Sequence, residues 1–125
     1  MLFGIALGGA LGTLARWWLG GWAQRWSAFF PYGTLTINVT GSLLLGFLVR
    51  WLTQTSAGPE LRAALTIGFC GGFTTFSTFS YEAARLIEDG SLGRAALYMG
   101  ASVLLSVGAA FAGFAIARAV LAPAR

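Results

Sequence analysis

The sequence predicts an all-α integral membrane protein: four transmembrane helices, the third one broken, in a subunit that pairs as an antiparallel, dual-topology homodimer. Three observations predict it. The 125 residues are 57% hydrophobic and 10% charged, whereas an ordinary soluble domain carries about 25% charge. Four apolar stretches reach the ~20 residues that a helix needs to cross a hydrocarbon core, roughly Leu2 to Gln24, Gly33 to Leu52, Leu61 to Leu86 and Arg94 to Leu121. The third of them contains a run of glycine and threonine that a continuous helix would not choose. Nearly the whole chain, 1–125, is thus one membrane-embedded domain.

The first stretch lacks a basic lead, exceeds the apolar core of a secretory signal and carries its arginine late, at Arg16, so it reads as a true span. Gly4, Gly8 and Gly12 recur every four residues along it, a small-residue stripe that suits close helix contact and implies no chemistry. After a short connection with Pro31, the second span sets Thr34, Asn38, Ser42 and Gly46 on one stripe. A carboxamide at mid-membrane needs partners, and its NH2 group supplies two donors. Interhelical bonding alone would also explain a lone asparagine.

A turn with Gly58 and Pro59 leads to the third span, where Gly68, Gly71, Gly72, Thr74, Thr75 and Thr78 crowd into ~11 residues. The expected break lies between Gly71 and Thr75. Backbone freed at that depth persists only when buried in protein or beside a watery cavity, and unwound carbonyls there coordinate cations such as sodium. Phe76 and Phe79 share a face just beyond, with Ser77 between them. Aromatic edges are positive and can replace water around an anion, although core packing explains the two rings equally well. After Asp89 and Gly90, the fourth span repeats the polar pattern with Tyr98, Ser102 and Ser106. Taken together, amide donors, hydroxyls and ring edges, with no carboxylate on the stripes of spans two and four, suit a small hydrated anion. Cation conduction would want acid rings or carbonyl filters.

Orientation follows from arginines. With four spans, Arg50, Arg62, Arg118 and Arg125 fall on one side and Arg16, Arg25, Arg85 and Arg94 on the other. A chain without bias can insert both ways, and two inverted copies would pair about a two-fold axis in the membrane plane. Helix-end arginines that signal topology poorly are the alternative, with a single orientation. The sequence favours the antiparallel pair.

Other chemistry finds little support. The chain has no histidine, and Glu60, Glu82, Glu88 and Asp89 are not grouped with metal ligands. No nucleophile and base, metal cluster or phosphate loop points to an enzyme. The arginines fall singly, which argues against nucleic acid. Cys70, the single cysteine, reads as a packing residue.

The strings GGALGTLARW at Gly8 to Trp17, YGTLTINVTGSLLLG at Tyr32 to Gly46 and GFCGGFTTFSTFS at Gly68 to Ser80 resemble the Fluc, or CrcB, fluoride channels of bacteria and archaea. The match runs over essentially the full length. The resemblance implies a fluoride-selective passive channel in the inner (plasma) membrane, an antiparallel homodimer with two pores and a central structural sodium ion. It implies that the Gly71 and Thr74 carbonyls of both copies hold the sodium. Phe76, Phe79, Ser77 and Asn38 would line a pore, continued by a hydroxyl track of Tyr98, Ser102 and Ser106, with Arg16 and Glu82 at an aqueous vestibule. Where some members carry one more hydroxyl, this chain has Ala110. Taken alone, Glu82 would be a helix-end acid paired with Arg85.

Two rivals stand beside this reading. A small multidrug transporter shares four short helices and dual topology but resembles its relatives in needing an acid in the first span, which is missing here. A non-transporting membrane subunit would use the glycine stripes for assembly alone.

Overall fold

The computed structural model describes residues 1–123; Arg125, counted above for topology, lies outside them. Helix α1 spans Leu2–Gln24, α2 spans Tyr32–Gln54 and α6 spans Leu92–Leu121. These three are long and apolar enough to cross a membrane. The third stretch is divided into α3 (Pro59–Ala63), a π-helical segment (Ala64–Cys70), α4 (Gly71–Phe73) and α5 (Phe76–Glu88). The break is narrower than the sequence suggests, because Gly71 and Gly72 stay helical and only Thr74 and Thr75 leave the helix.

The π-helical segment was not legible in the sequence, and its cause lies in packing. A Cβ on Gly8 would run into the Ala64 carbonyl and one on Gly12 into the Phe69 carbonyl, while one on Gly68 would stand 2.7 Å from the Ile5 carbonyl. The glycine stripe of α1 thus lets two backbones touch, as small-residue stripes do in membranes. The widened π turn offers its carbonyls to that contact, and Thr66 Oγ1 donates to the Arg62 carbonyl at 2.8 Å within it. The second close pair is α2 with α6, where Gly46 lies against the Ala110 backbone and Gly113 against the Leu43 carbonyl.

Connections are fixed by single side chains. Gln24 donates to the Ser27 and Phe30 carbonyls and accepts from Gly33 N–H at 3.0 Å, tying together both ends of the α1 to α2 loop. Arg62 donates to the Ala57 and Thr55 carbonyls at 3.0 and 3.3 Å, holding the next turn. Helix α5 ends on Gly90, whose φ of 77° only glycine adopts without strain. Ser91 N–H then reaches back to the Leu86 carbonyl at 2.8 Å, closing the helix end.

The outer surface is that of a protein in lipid. Phe3 is 81% exposed and Leu104 75%, whereas the buried core cluster is small and centred on Leu48, Leu52 and Cys70. Cys70 is one of the most enclosed side chains, in keeping with its reading as a packing residue.

Candidate functional site

The site is built around the break. Thr74 and Thr75 adopt extended backbone, with φ and ψ of −82° and 156° and of −149° and 110°. Thr74 Oγ1 donates to the Cys70 carbonyl at 2.9 Å, closing the end of α4. Thr75 Oγ1 accepts from Thr78 N–H at 3.2 Å, which caps the start of α5.

Asn38 of α2 bridges the gap between the two pieces. Its Oδ1 accepts from Thr75 N–H at 2.8 Å and its Nδ2 donates to the Thr75 carbonyl at 3.0 Å. Two donors are thereby diverted from the helical ladder. Thr75 N–H goes to Asn38 instead of the Gly71 carbonyl, and Thr78 N–H goes to Thr75 Oγ1 instead of the Thr74 carbonyl. The carbonyls of Gly71 and Thr74 are thus two of the four that the break leaves without a helical donor, with those of Gly72 and Phe73. Gly71 itself is exposed, with open space around a Cβ added there.

A cavity of about 330 Å³ opens beside the break, lined by Asn38, Ser42, Phe76, Phe79, Ser102 and Ser106 among others. It brings together residues of α2, α5 and α6 that the sequence had placed on separate stripes. Ser102 and Ser106 are enclosed, and among the described residues their hydroxyls have no hydrogen-bond partner. Buried hydroxyls are normally paired, so these two are available to something in the cavity. The Phe76 and Phe79 rings lie 5.5 Å apart at 49°, and Phe76 is 79% exposed. Tyr98, fully buried, packs 5.2 Å from Phe79.

Ser77 stands apart from this group. It is absent from the cavity lining, and its Oγ lies 3.4 Å from Thr75 Oγ1. Ala110, where a further hydroxyl would extend the track, packs its backbone against Gly46.

A second cavity, of about 530 Å³, is lined by Arg16, Thr34, Thr75, Thr78 and Glu82 among others. Thr75 faces both cavities. Glu82 does not pair with Arg85, whose ion-pair partner is Asp89 at 3.9 Å. Its carboxylate instead accepts from Thr34 Oγ1 at 2.7 Å and from Tyr98 hydroxyl at 3.0 Å. The α5 register turns Glu82 inward between α2 and α6, and those two hydroxyls satisfy it there. Spacing alone had no means of pairing Glu82 with a residue 48 positions away.

Among the described residues no three His, Cys, Asp or Glu side chains come together; the free backbone carbonyls of the break are hard oxygen donors. Hydroxyls, one remaining Asn38 N–H and ring edges form the complementary set for an anion.

The sequence profile described as CrcB-like protein, Camphor Resistance (CrcB), matches residues 3–114. The fluoride-specific ion channel FluC of Geobacter metallireducens is 52% identical over 116 residues, covering 91% of this chain and 94% of that protein. FluC of Rhodospirillum centenum is 46% identical over 124 residues, covering 98% of each. FluC of Nitrobacter winogradskyi is 49% identical over 125 residues, covering 95% of this chain and 96% of the relative. With a profile match across most of its length and relatives near half identity from end to end, the chain belongs to the CrcB-like family.

Proposed function

We propose that this multi-pass membrane protein is a fluoride-selective passive channel that lets fluoride leave the cytoplasm across the plasma membrane and so relieves its toxicity. The single observation that carries the reading is the cavity in which Asn38, Phe76, Phe79 and two unpartnered hydroxyls, Ser102 and Ser106, converge without a carboxylate. The names and identities of the FluC relatives support the choice of fluoride.

The working unit is an antiparallel homodimer of four-span subunits, each span set forming one domain. The high exposure of Phe76 and of Gly71 in the single chain supports a partner surface at the break. A structural sodium ion fits the donor set: carbonyls of Gly71 and Thr74, released from the helical ladder, are hard oxygen ligands, and two copies would supply four. Bound there, the ion would lock the two breaks together and add positive charge near the anion path.

Selectivity follows from shape and donor strength. The cavity offers O–H and N–H donors and ring edges at fixed positions, which replace the hydration of a small anion in a low-dielectric site. A larger halide gains less from each donor. Arg16, beside Glu82 on the wider cavity, would draw anions toward the path.

Liposomes containing the purified protein and loaded with fluoride should release it on addition of a potassium ionophore, as read by a fluoride-selective electrode. Chloride release at a comparable rate would overturn the selectivity, and absence of fluoride release would overturn the channel.

A further inference from the structure

The two polar stripes continue beyond the cavity. On α2 the interval of four that carries Thr34, Asn38, Ser42 and Gly46 goes on to Arg50 and Gln54; on α6 the interval of Tyr98, Ser102 and Ser106 goes on through Ala110 and Phe114 to Arg118. Arg50, Gln54 and Arg118 come together with Leu121 and Ala122 around a separate hollow of about 200 Å³.

A lone arginine at a helix C-terminus is explained by the helix dipole. That accounts for Arg118 in the last turn of α6 but not for Arg50, which precedes the last turn of α2, nor for both lining the same hollow, where two like charges repel. Among the described residues the one ion pair is Arg85 with Asp89, so no described carboxylate pairs with either arginine of the hollow. Two exposed arginines lining one hollow offer guanidinium forks suited to an anion.

The hollow is separate from the fluoride cavity. Between the cavity and the hollow, α2 and α6 touch backbone to backbone, Gly46 on Ala110 and Gly113 on Leu43. The hollow opens where two membrane-length helices finish, α2 at Gln54 and α6 at Leu121, the depth at which arginines reach for the headgroup layer. Within a turn of Arg118, Ile116 and Val120 stand 46% and 60% exposed, apolar surface of the kind acyl chains cover.

We propose that Arg50, Gln54 and Arg118 hold the phosphate of an anionic phospholipid headgroup, with its acyl chains against the apolar shaft of α6. The guanidinium forks match phosphate oxygens in pairs, and the Gln54 amide adds N–H donors. Basic pockets between transmembrane helices recognise anionic lipid in this way.

Binding of phosphatidylglycerol and of phosphatidylcholine to the purified protein in detergent, measured by native mass spectrometry, tests the assignment without reference to fluoride transport. The wild type should retain phosphatidylglycerol preferentially. The double variant R50Q/R118Q should lose about fivefold in phosphatidylglycerol affinity per arginine, about thirtyfold in all, and the preference over phosphatidylcholine, whose choline offsets the phosphate charge, should disappear. R50K/R118K, which keeps the charge but not the fork, should lose part of that, and Gln54→Ala should lose about threefold; these two decide the matter if the double glutamine variant does not fold. Unchanged phosphatidylglycerol affinity in the variants that fold overturns the proposal. So does full displacement of the lipid by inorganic phosphate at millimolar concentration, which would make the site one for free phosphate.

Discussion

The carboxamide of Asn38 and the backbone of Thr75 form a closed two-bond ring, Thr75 N–H to Oδ1 at 2.8 Å and Nδ2 to the Thr75 carbonyl at 3.0 Å. An asparagine on one helix thereby stands in for the missing helical turn of another. Its oxygen takes the donor that Gly71 would have used, and its nitrogen serves the carbonyl of Thr75, the residue that caps α5. Asn38 therefore holds the break open in one geometry and also presents its second N–H to the cavity.

Asn38→Ala removes both bonds and leaves the polar backbone of Thr75 buried without them, each lost partner costing about 1–3 kcal/mol. The variant should unfold at lower denaturant and carry no measurable fluoride efflux. Asn38→Asp separates the two roles. A carboxylate still accepts from Thr75 N–H but cannot donate to the carbonyl, so expression should be closer to wild type while efflux stays lost. Efflux at the wild-type rate from either variant would show that the clamp is dispensable.

Ser102→Ala and Ser106→Ala should move stability and function in opposite directions. Their hydroxyls are buried and unpartnered in the chain, so removing them leaves stability unchanged or raises it by about 1 kcal/mol, because an unsatisfied polar group disappears. Fluoride release should fall at least tenfold, since the cavity loses a donor. A joint fall in thermal midpoint and flux would indicate instead that the hydroxyls serve packing.

Phe79→Ile keeps an apolar side chain of reduced volume but deletes the ring edge and the contact with Tyr98 at 5.2 Å. In the channel reading, efflux is lost from a protein that still assembles, as seen by size-exclusion chromatography and by a fluoride electrode on the same preparation. A purely structural subunit would instead fall apart or become polydisperse. Retained fluoride flux in an intact assembly would remove the aromatic edge from the mechanism.

Apolar length and periodicity made α1, α2 and α6 legible before the structure, to within two residues at each end, because these helices are fixed by lipid thickness. The break was legible in outline from the Gly and Thr run, yet its position at Thr74 and Thr75 depends on Asn38, 37 residues away, and no local rule reaches that far. The π-helical segment depends on contact with the α1 glycines and was not foreseen. Stripes at intervals of four brought Asn38, Ser102 and Ser106 to one cavity, since each stripe faces the same seam. Glu82 was placed with Arg16 by resemblance alone, and both line one cavity; its partners Thr34 and Tyr98 come from helices before and after it, beyond the reach of spacing. Gln24 carried no sequence signal at all, a polar residue at a helix end being unremarkable until its three loop partners are seen.

Glycines that look alike in the sequence should respond oppositely to the same methyl group. At Gly12 a Cβ would meet the Phe69 carbonyl, whereas at Gly71 it would meet nothing within 4 Å. Gly12→Ala must separate α1 from the π-helical segment and should cost about 1–3 kcal/mol, the range for an overpacked contact, with reduced yield of folded protein. Gly71→Ala leaves the chain's own packing intact and, inside α4, should even favour the helix slightly. If a second copy covers Gly71 in the working assembly, the added methyl will instead weaken the dimer, measured as dissociation on dilution in detergent, and lower flux at unchanged monomer stability. A Gly71→Ala protein that remains dimeric and conducts fluoride like the wild type would place the partner surface elsewhere on the molecule.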